Sequence, residues 1–213
     1  MTYYTTDHRF NLEAYLATHT LPKGLGDTES ACTLAAINLA MSGELTDDIP
    51  DCMSAVLGKA AIDLQDAMPN EMRNSQRYKS IIPDMPGTGR ALEQERLSIM
   101  LDWMWSVVLP QIQPIADNGG FGVEWRLMCH DRTADAAARA ADAARAAARA
   151  ADARAYAAAY AAVDAAAHYA ASYDARAYAA DARAYAAARA DFWTTIDPIG
   201  VLERMTYLTG DEP

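Results

Sequence analysis

The chain has 213 residues, 52% of them hydrophobic and 22% charged, with a formal net charge of −11. An acidic surface of that size argues against bulk DNA or RNA binding and against anionic membranes, because phosphate recognition needs a surplus of Lys and Arg. No stretch approaches the roughly 18 apolar residues of a membrane span, the start lacks a signal-peptide pattern, and three cysteines without CxxC spacing suit reduced thiols, so a cytoplasmic protein is expected.

Helix signals follow one another along the first half. Residues 12–18 read as a first helix after Asn11, stopped by Pro22, Gly24 and Gly26. Residues 29–41 carry one charge, Glu29, and apolar side chains all round the wheel, which predicts a helix buried on most sides and ended by Gly43. Asp51 is the expected N-cap of a helix over 52–68, and Pro69-Asn70 restarts a more polar helix that ends before Pro83. After the loop at 83–89, residues 90–109 predict one long helix with Leu97, Met100, Leu101, Met104 and Val108 on its apolar face, flanked by Trp103 and Trp105. Pro110, Pro114 and Asp117-Asn118-Gly119-Gly120 then break the chain. No segment alternates in the manner of a strand.

The second half is unusual. Between Ala134 and Ala190, 35 of 57 residues are alanine and none is Gly or Pro, so helix propensity is as strong as natural sequences supply. Asp135, Arg139, Asp142, Arg145, Arg149, Asp152, Tyr156, Tyr160, Asp164 and His168 follow at steps of three or four, forming one polar stripe on one face. The phase slips near Ser172, where a turn is expected, and Asp174, Tyr178, Asp181, Tyr185 and Arg189 make a second stripe. Asp-Ala-Arg-Ala-Tyr-Ala-Ala recurs at 152–158, 174–180 and 181–187. Duplication of a low-complexity helix explains the repeat, and so does a ladder of Tyr and Arg for stacking or partner contact. Asp197-Pro198 then opens a closing helix rich in Ile, Val, Leu and Met.

The expected fold is therefore all-α: a multi-helix bundle with a long alanine-rich helical hairpin. It divides into an acidic helical region at 1–131, the alanine tract at 132–191 and a closing helix at 192–213 packed on the same domain. The first region carries 18 acids against 9 bases, the tract 7 against 8.

Chemistry is sparse. There is no HExxH, GxSxG, Walker-type loop or Cys/His metal spacing, so neither a catalytic residue nor a cofactor or metal is expected. Asp47, Asp48 and Asp51 read more simply as a solvated, capping turn than as a cation cage. Pro86-Gly87-Thr88-Gly89-Arg90 is better placed: glycines before a helix can aim N–H groups at an anion, with Thr88 and Arg90 adding a hydroxyl and a charge. An ordinary capped loop accounts for it more simply. The expected ligand- or partner-binding residues are Thr88, Arg90, Arg126, Tyr156, Tyr160, Arg176, Tyr178, Arg183 and Tyr185.

Glu29-Ser-Ala-Cys-Thr-Leu-Ala-Ala-Ile-Asn-Leu-Ala, Leu45-Thr-Asp-Asp-Ile-Pro-Asp-Cys-Met-Ser54 and Gln65-Asp-Ala-Met-Pro69 resemble an uncharacterised group of bacterial and phage proteins that end in alanine-rich tracts. The likeness covers about the first 130 residues and implies no particular chemistry. Alanine-rich helices alone are also similar to immunity proteins of bacterial toxin systems. These readings lead to a non-enzymatic helical binding protein, phage-encoded by resemblance, that sequesters or inhibits a host component, either a protein or a small anionic ligand. The alternatives are a self-assembling homo-oligomer joined through alanine faces and a nucleotide-binding enzyme using the Gly87 to Arg90 loop.

Overall fold

The computed structural model describes residues 3–150 and 192–209. Among them 69% are helical and none is in a strand, so the all-α class holds. The chain divides into one unit of residues 1–100 with 197–213 and a second of residues 101–196.

In the first unit, α1 (Thr6–Thr18) starts six residues before the expected Leu12. Thr5 accepts the His8 N–H while His8 Nδ1 accepts the Thr5 N–H, a capping box closed by histidine where Glu or Gln is usual. Asn11 thus falls inside the helix. Conversely, α2 (Thr33–Ser42) starts four residues late, because Asp27 Oδ1 accepts the N–H groups of Glu29 and Ser30 and holds them in a loop. Burial matches expectation over residues 31–38, which are all buried, while 39–41 are half-buried, and Gly43 ends the helix with φ 76°.

The next helix, α3 (Ala55–Ala67), is capped by Ser54 rather than Asp51. Its Gly58 lies so close to Ile49 that an added Cβ would meet Ile49 Cγ2 at 2.7 Å. Ser75 accepts the Tyr78 N–H and divides the expected polar helix into α4 (Asn70–Arg73) and α5 (Gln76–Ile81), followed by a 3-10 turn at Ile82–Asp84. At the far end of the sequence, α11 (Pro198–Thr206) has the expected proline start, with Asp197 at φ 43° accepting the Gly200 N–H. Ile199, Val201, Leu202 and Met205 are buried, and the helix packs on α3 and α5.

Three cations tie this unit together through helix C-termini, where carbonyls lack intrahelical partners and the macrodipole is negative. Lys79 donates to Leu16 O and His19 O at the end of α1. Arg73, 5% exposed, donates to Met68 O beyond α3 and to Leu21 O. Arg96, 1% exposed, donates to Met205 O near the end of α11 and to Thr88 O and Gly89 O. Burial pushes both guanidinium groups below their ordinary values. A neutral network fills the centre: Gln65 bridges the Thr33 N–H and Pro22 O, and the Thr33 and Tyr78 hydroxyls pair at 2.8 Å.

The sequence stretch 90–109 is not one helix. After α6 (Glu93–Trp103) come a π-helical turn at Met104–Val108 and a 3-10 turn at Leu109–Ile112. Trp103, Met104 and Trp105 are all buried, whereas three successive positions of a regular α-helix would point over a wide arc. In the second unit, Pro110 and Pro114 restart helical turns instead of ending them, since each stands in a first turn where its missing N–H costs nothing.

The chain continues through α7 (Gln113–Gly119), a left-handed Gly120 and α8 (Gly122–Asp131), where Trp125 is sealed from solvent and donates to Leu109 O at 2.9 Å. Arg132, at φ 54°, turns it into α9 (Ala134–Ala150). The short helix α10 (Phe192–Ile196) buries Phe192 and Trp193 and receives the Trp103 indole N–H on Ile196 O.

Along α9, Ala136, Ala137, Ala140, Ala141 and Ala144 are at most 2% exposed, packed against α7 and α8. Asp135, Arg139 and Asp142 are exposed. The expected separation of a covered alanine side from a polar stripe therefore holds as far as Ala144. The expected helix to Ala170, the turn near Ser172 and the hairpin lie outside the described residues.

Candidate binding surface

The loop at 86–90 has positive φ at Gly87 and Gly89, as an anion cradle would require. Its donors are nevertheless turned inward. The N–H groups of Gly87 and Gly89 both donate to Cys52 O, at 2.9 and 3.0 Å. Thr88 Oγ1 accepts the Ser54 N–H and donates to Met85 O. Arg96 holds the loop from its carbonyl side, and Arg90 is exposed at its end. The loop thus joins the start of α3 to α6, and these donors are engaged within the protein. A carboxylate of the protein lies next to it, on the start of α3. The Glu93 carboxylate accepts the N–H groups of Ala55 and Val56 and the Ser54 hydroxyl, at 2.7–3.0 Å, neutralising the positive end of α3. Sequence reasoning missed this residue, because it caps a helix 38 positions away.

Gly24-Leu25-Gly26 is similarly committed. The Gly24 N–H donates to Asp66 Oδ1 at 2.7 Å, and a Cβ at Gly26 would overlap Ser30 O. Asp48 closes a local turn with Thr46, and the Asn38 amide donates to the carbonyls of both residues. Among the described residues, no three metal-ligating side chains come together. Cys32 caps α2 through a 3.4 Å contact of its sulfur with the Ala35 N–H, and burial pushes the Cys129 thiol up to about 11.

Arg126 stands on the outer side of α8, paired with Asp117 at 2.8 Å. It belongs to the second unit, and Thr88 and Arg90 to the first. Tyr156, Tyr160, Arg176, Tyr178, Arg183 and Tyr185 lie outside the described residues. The described part of the alanine tract therefore offers Asp135, Arg139 and Asp142 as an outward row, with Arg139 3.9 Å from Asp131 at its base.

Compared with family models, with curated proteins and with solved structures, the chain matches none of them.

Proposed function

We propose that the chain is a non-enzymatic helical binding protein that sequesters or inhibits a host component, a protein or a small anionic ligand, through the polar stripe of its alanine tract. The observation that carries this reading is the sidedness of α9. Ala136, Ala137, Ala140, Ala141 and Ala144 are buried on a helix that packs on α7 and α8, while Asp135, Arg139 and Asp142 are presented outward. The sequence continues the stripe in the same phase through Arg145 and Arg149 to Tyr156 and Tyr160, the second stripe adds Tyr178 and Tyr185, and the same repeats carry Arg176 and Arg183. Tyr and Arg are the side chains that most often dominate binding energy at protein surfaces. The resemblance to phage proteins gives the host as the source of the partner.

The nucleotide-loop alternative is less well supported, since the Gly87 and Gly89 N–H groups donate to Cys52 O. The test is capture from host-cell extract by the full chain and by a variant with Tyr156, Tyr160, Tyr178 and Tyr185 all changed to Ala. A partner retained by the parent and lost by an equally stable variant supports the reading. Equal capture by both, or a variant that fails to fold, would overturn the stripe as the recognition face.

A further inference from the structure

Within the first unit, α6 and the end of α11 flank an open groove of about 500 Å³, a volume in the usual range for small-molecule sites. Glu95, Ser98 and Ile99 line it from α6, and Arg204, Tyr207 and Leu208 from the other side. Glu95 and Arg204 are exposed, and neither takes part in an ion pair among the described residues. Their charged neighbours differ in this respect: Glu93 caps α3, Arg96 holds three carbonyls, and Glu203 is gripped by Arg77. Glu95 and Arg204 also do not pair with each other, so their charged atoms stand more than 4.0 Å apart.

The wall beside Arg204 is an aromatic ring held in place. Tyr207 is 53% exposed, yet its hydroxyl donates to Asp84 Oδ2 at 2.9 Å, which fixes the ring while leaving its apolar surface open. Ile99 and Leu208 are half-buried and add aliphatic surface.

We infer that this groove binds a zwitterionic small molecule of the α-amino-acid kind, with an aromatic or branched aliphatic side chain. The ligand's carboxylate meets Arg204, its ammonium group meets Glu95, and its side chain lies on Tyr207, Ile99 and Leu208. A zwitterion suits the site better than a plain anion, because the chain's net charge of −11 repels anions and the Glu95 carboxylate lines the same groove as Arg204. The inference does not depend on the alanine tract, and its failure would leave the proposed function untouched.

Titration calorimetry on the full chain tests it with L-phenylalanine, L-leucine, L-serine, phenylethylamine and 3-phenylpropionate. Saturable binding of the first two at millimolar concentration, weaker for L-serine, is expected. Arg204→Gln should weaken L-phenylalanine about ten-fold while leaving phenylethylamine unchanged, and Glu95→Gln should weaken L-phenylalanine similarly while leaving 3-phenylpropionate unchanged or tighter. Both residues are exposed, and circular dichroism of each variant checks its fold. Absence of saturable amino-acid binding, or the same affinity in parent and both folded variants, overturns the proposal.

Discussion

Glu93 Oε1 accepts the Ala55 N–H at 2.7 Å, so a carboxylate from the first turn of α6 sits on the N-terminus of α3. Its other oxygen takes the Val56 N–H and the Ser54 hydroxyl. The two helices are thereby locked by charge at a point where α3 would otherwise leave donors without partners.

Glu93→Ala should therefore destabilise the first unit by about 2 kcal/mol, the loss of charge-assisted caps at a half-buried helix end. Glu93→Gln keeps one acceptor and should cost about half as much. Urea midpoints of the three proteins measure this. Equal midpoints for parent and Ala variant would show that water replaces the carboxylate without loss.

Arg96 makes a different prediction, because its buried guanidinium donates to three backbone carbonyls. Arg96→Ala leaves Met205 O, Thr88 O and Gly89 O short of a donor and opens a cavity, at a cost of about 3–5 kcal/mol. Lysine reaches with a point charge rather than a planar fork and should recover only part of this. Thermal unfolding of the Ala and Lys variants, compared with the parent, checks the order.

Alkaline stability follows from the buried acids. Burial raises the Cys129 thiol from its ordinary value near 9 to about 11, and the Tyr4 hydroxyl from 10 to about 12. Between pH 9 and 11 the unfolded chain releases the Cys129 proton before the folded chain does, so stability falls as pH rises through that window. Cys129→Ser removes this thiol's share, and its unfolding midpoint should decline less steeply from pH 9 to 11 than the parent's. An identical slope would assign the loss to other groups.

What was legible in the sequence was what nearby residues decide. The Asp197-Pro198 start of α11 could be read because cap and helix are adjacent, and the stripe of α9 because a step of 3.67 repeats. The late start of α2 was hidden, since Asp27 competes for the same N–H groups that Glu29 and Ser30 would bring to a helix. The loop at 86–90 stays ambiguous in sequence for a related reason. Two positive-φ glycines look the same in sequence whether their N–H groups face an anion or Cys52 O, which lies 35 residues before Gly87. Long-range caps such as Glu93 and Arg96 leave no local trace at all.

The last prediction tests the alanine face that underlies the proposed function. Ala137 and Ala140 are fully buried on α9, and Ala138, one position from Ala137, is exposed. A leucine at Ala140 must push α9 away from α7 and α8 or distort rotamers, costing about 1–3 kcal/mol. At Ala138 the same change meets solvent and should stay within about 0.5 kcal/mol. Denaturant unfolding of Ala140→Leu and Ala138→Leu gives the contrast directly. If both are neutral, α9 is not closely packed on its neighbours and its polar stripe has no fixed orientation. If only Ala140→Leu is costly, the same helix that is held by its alanines presents Asp135, Arg139 and Asp142 in a defined row, as a recognition face requires.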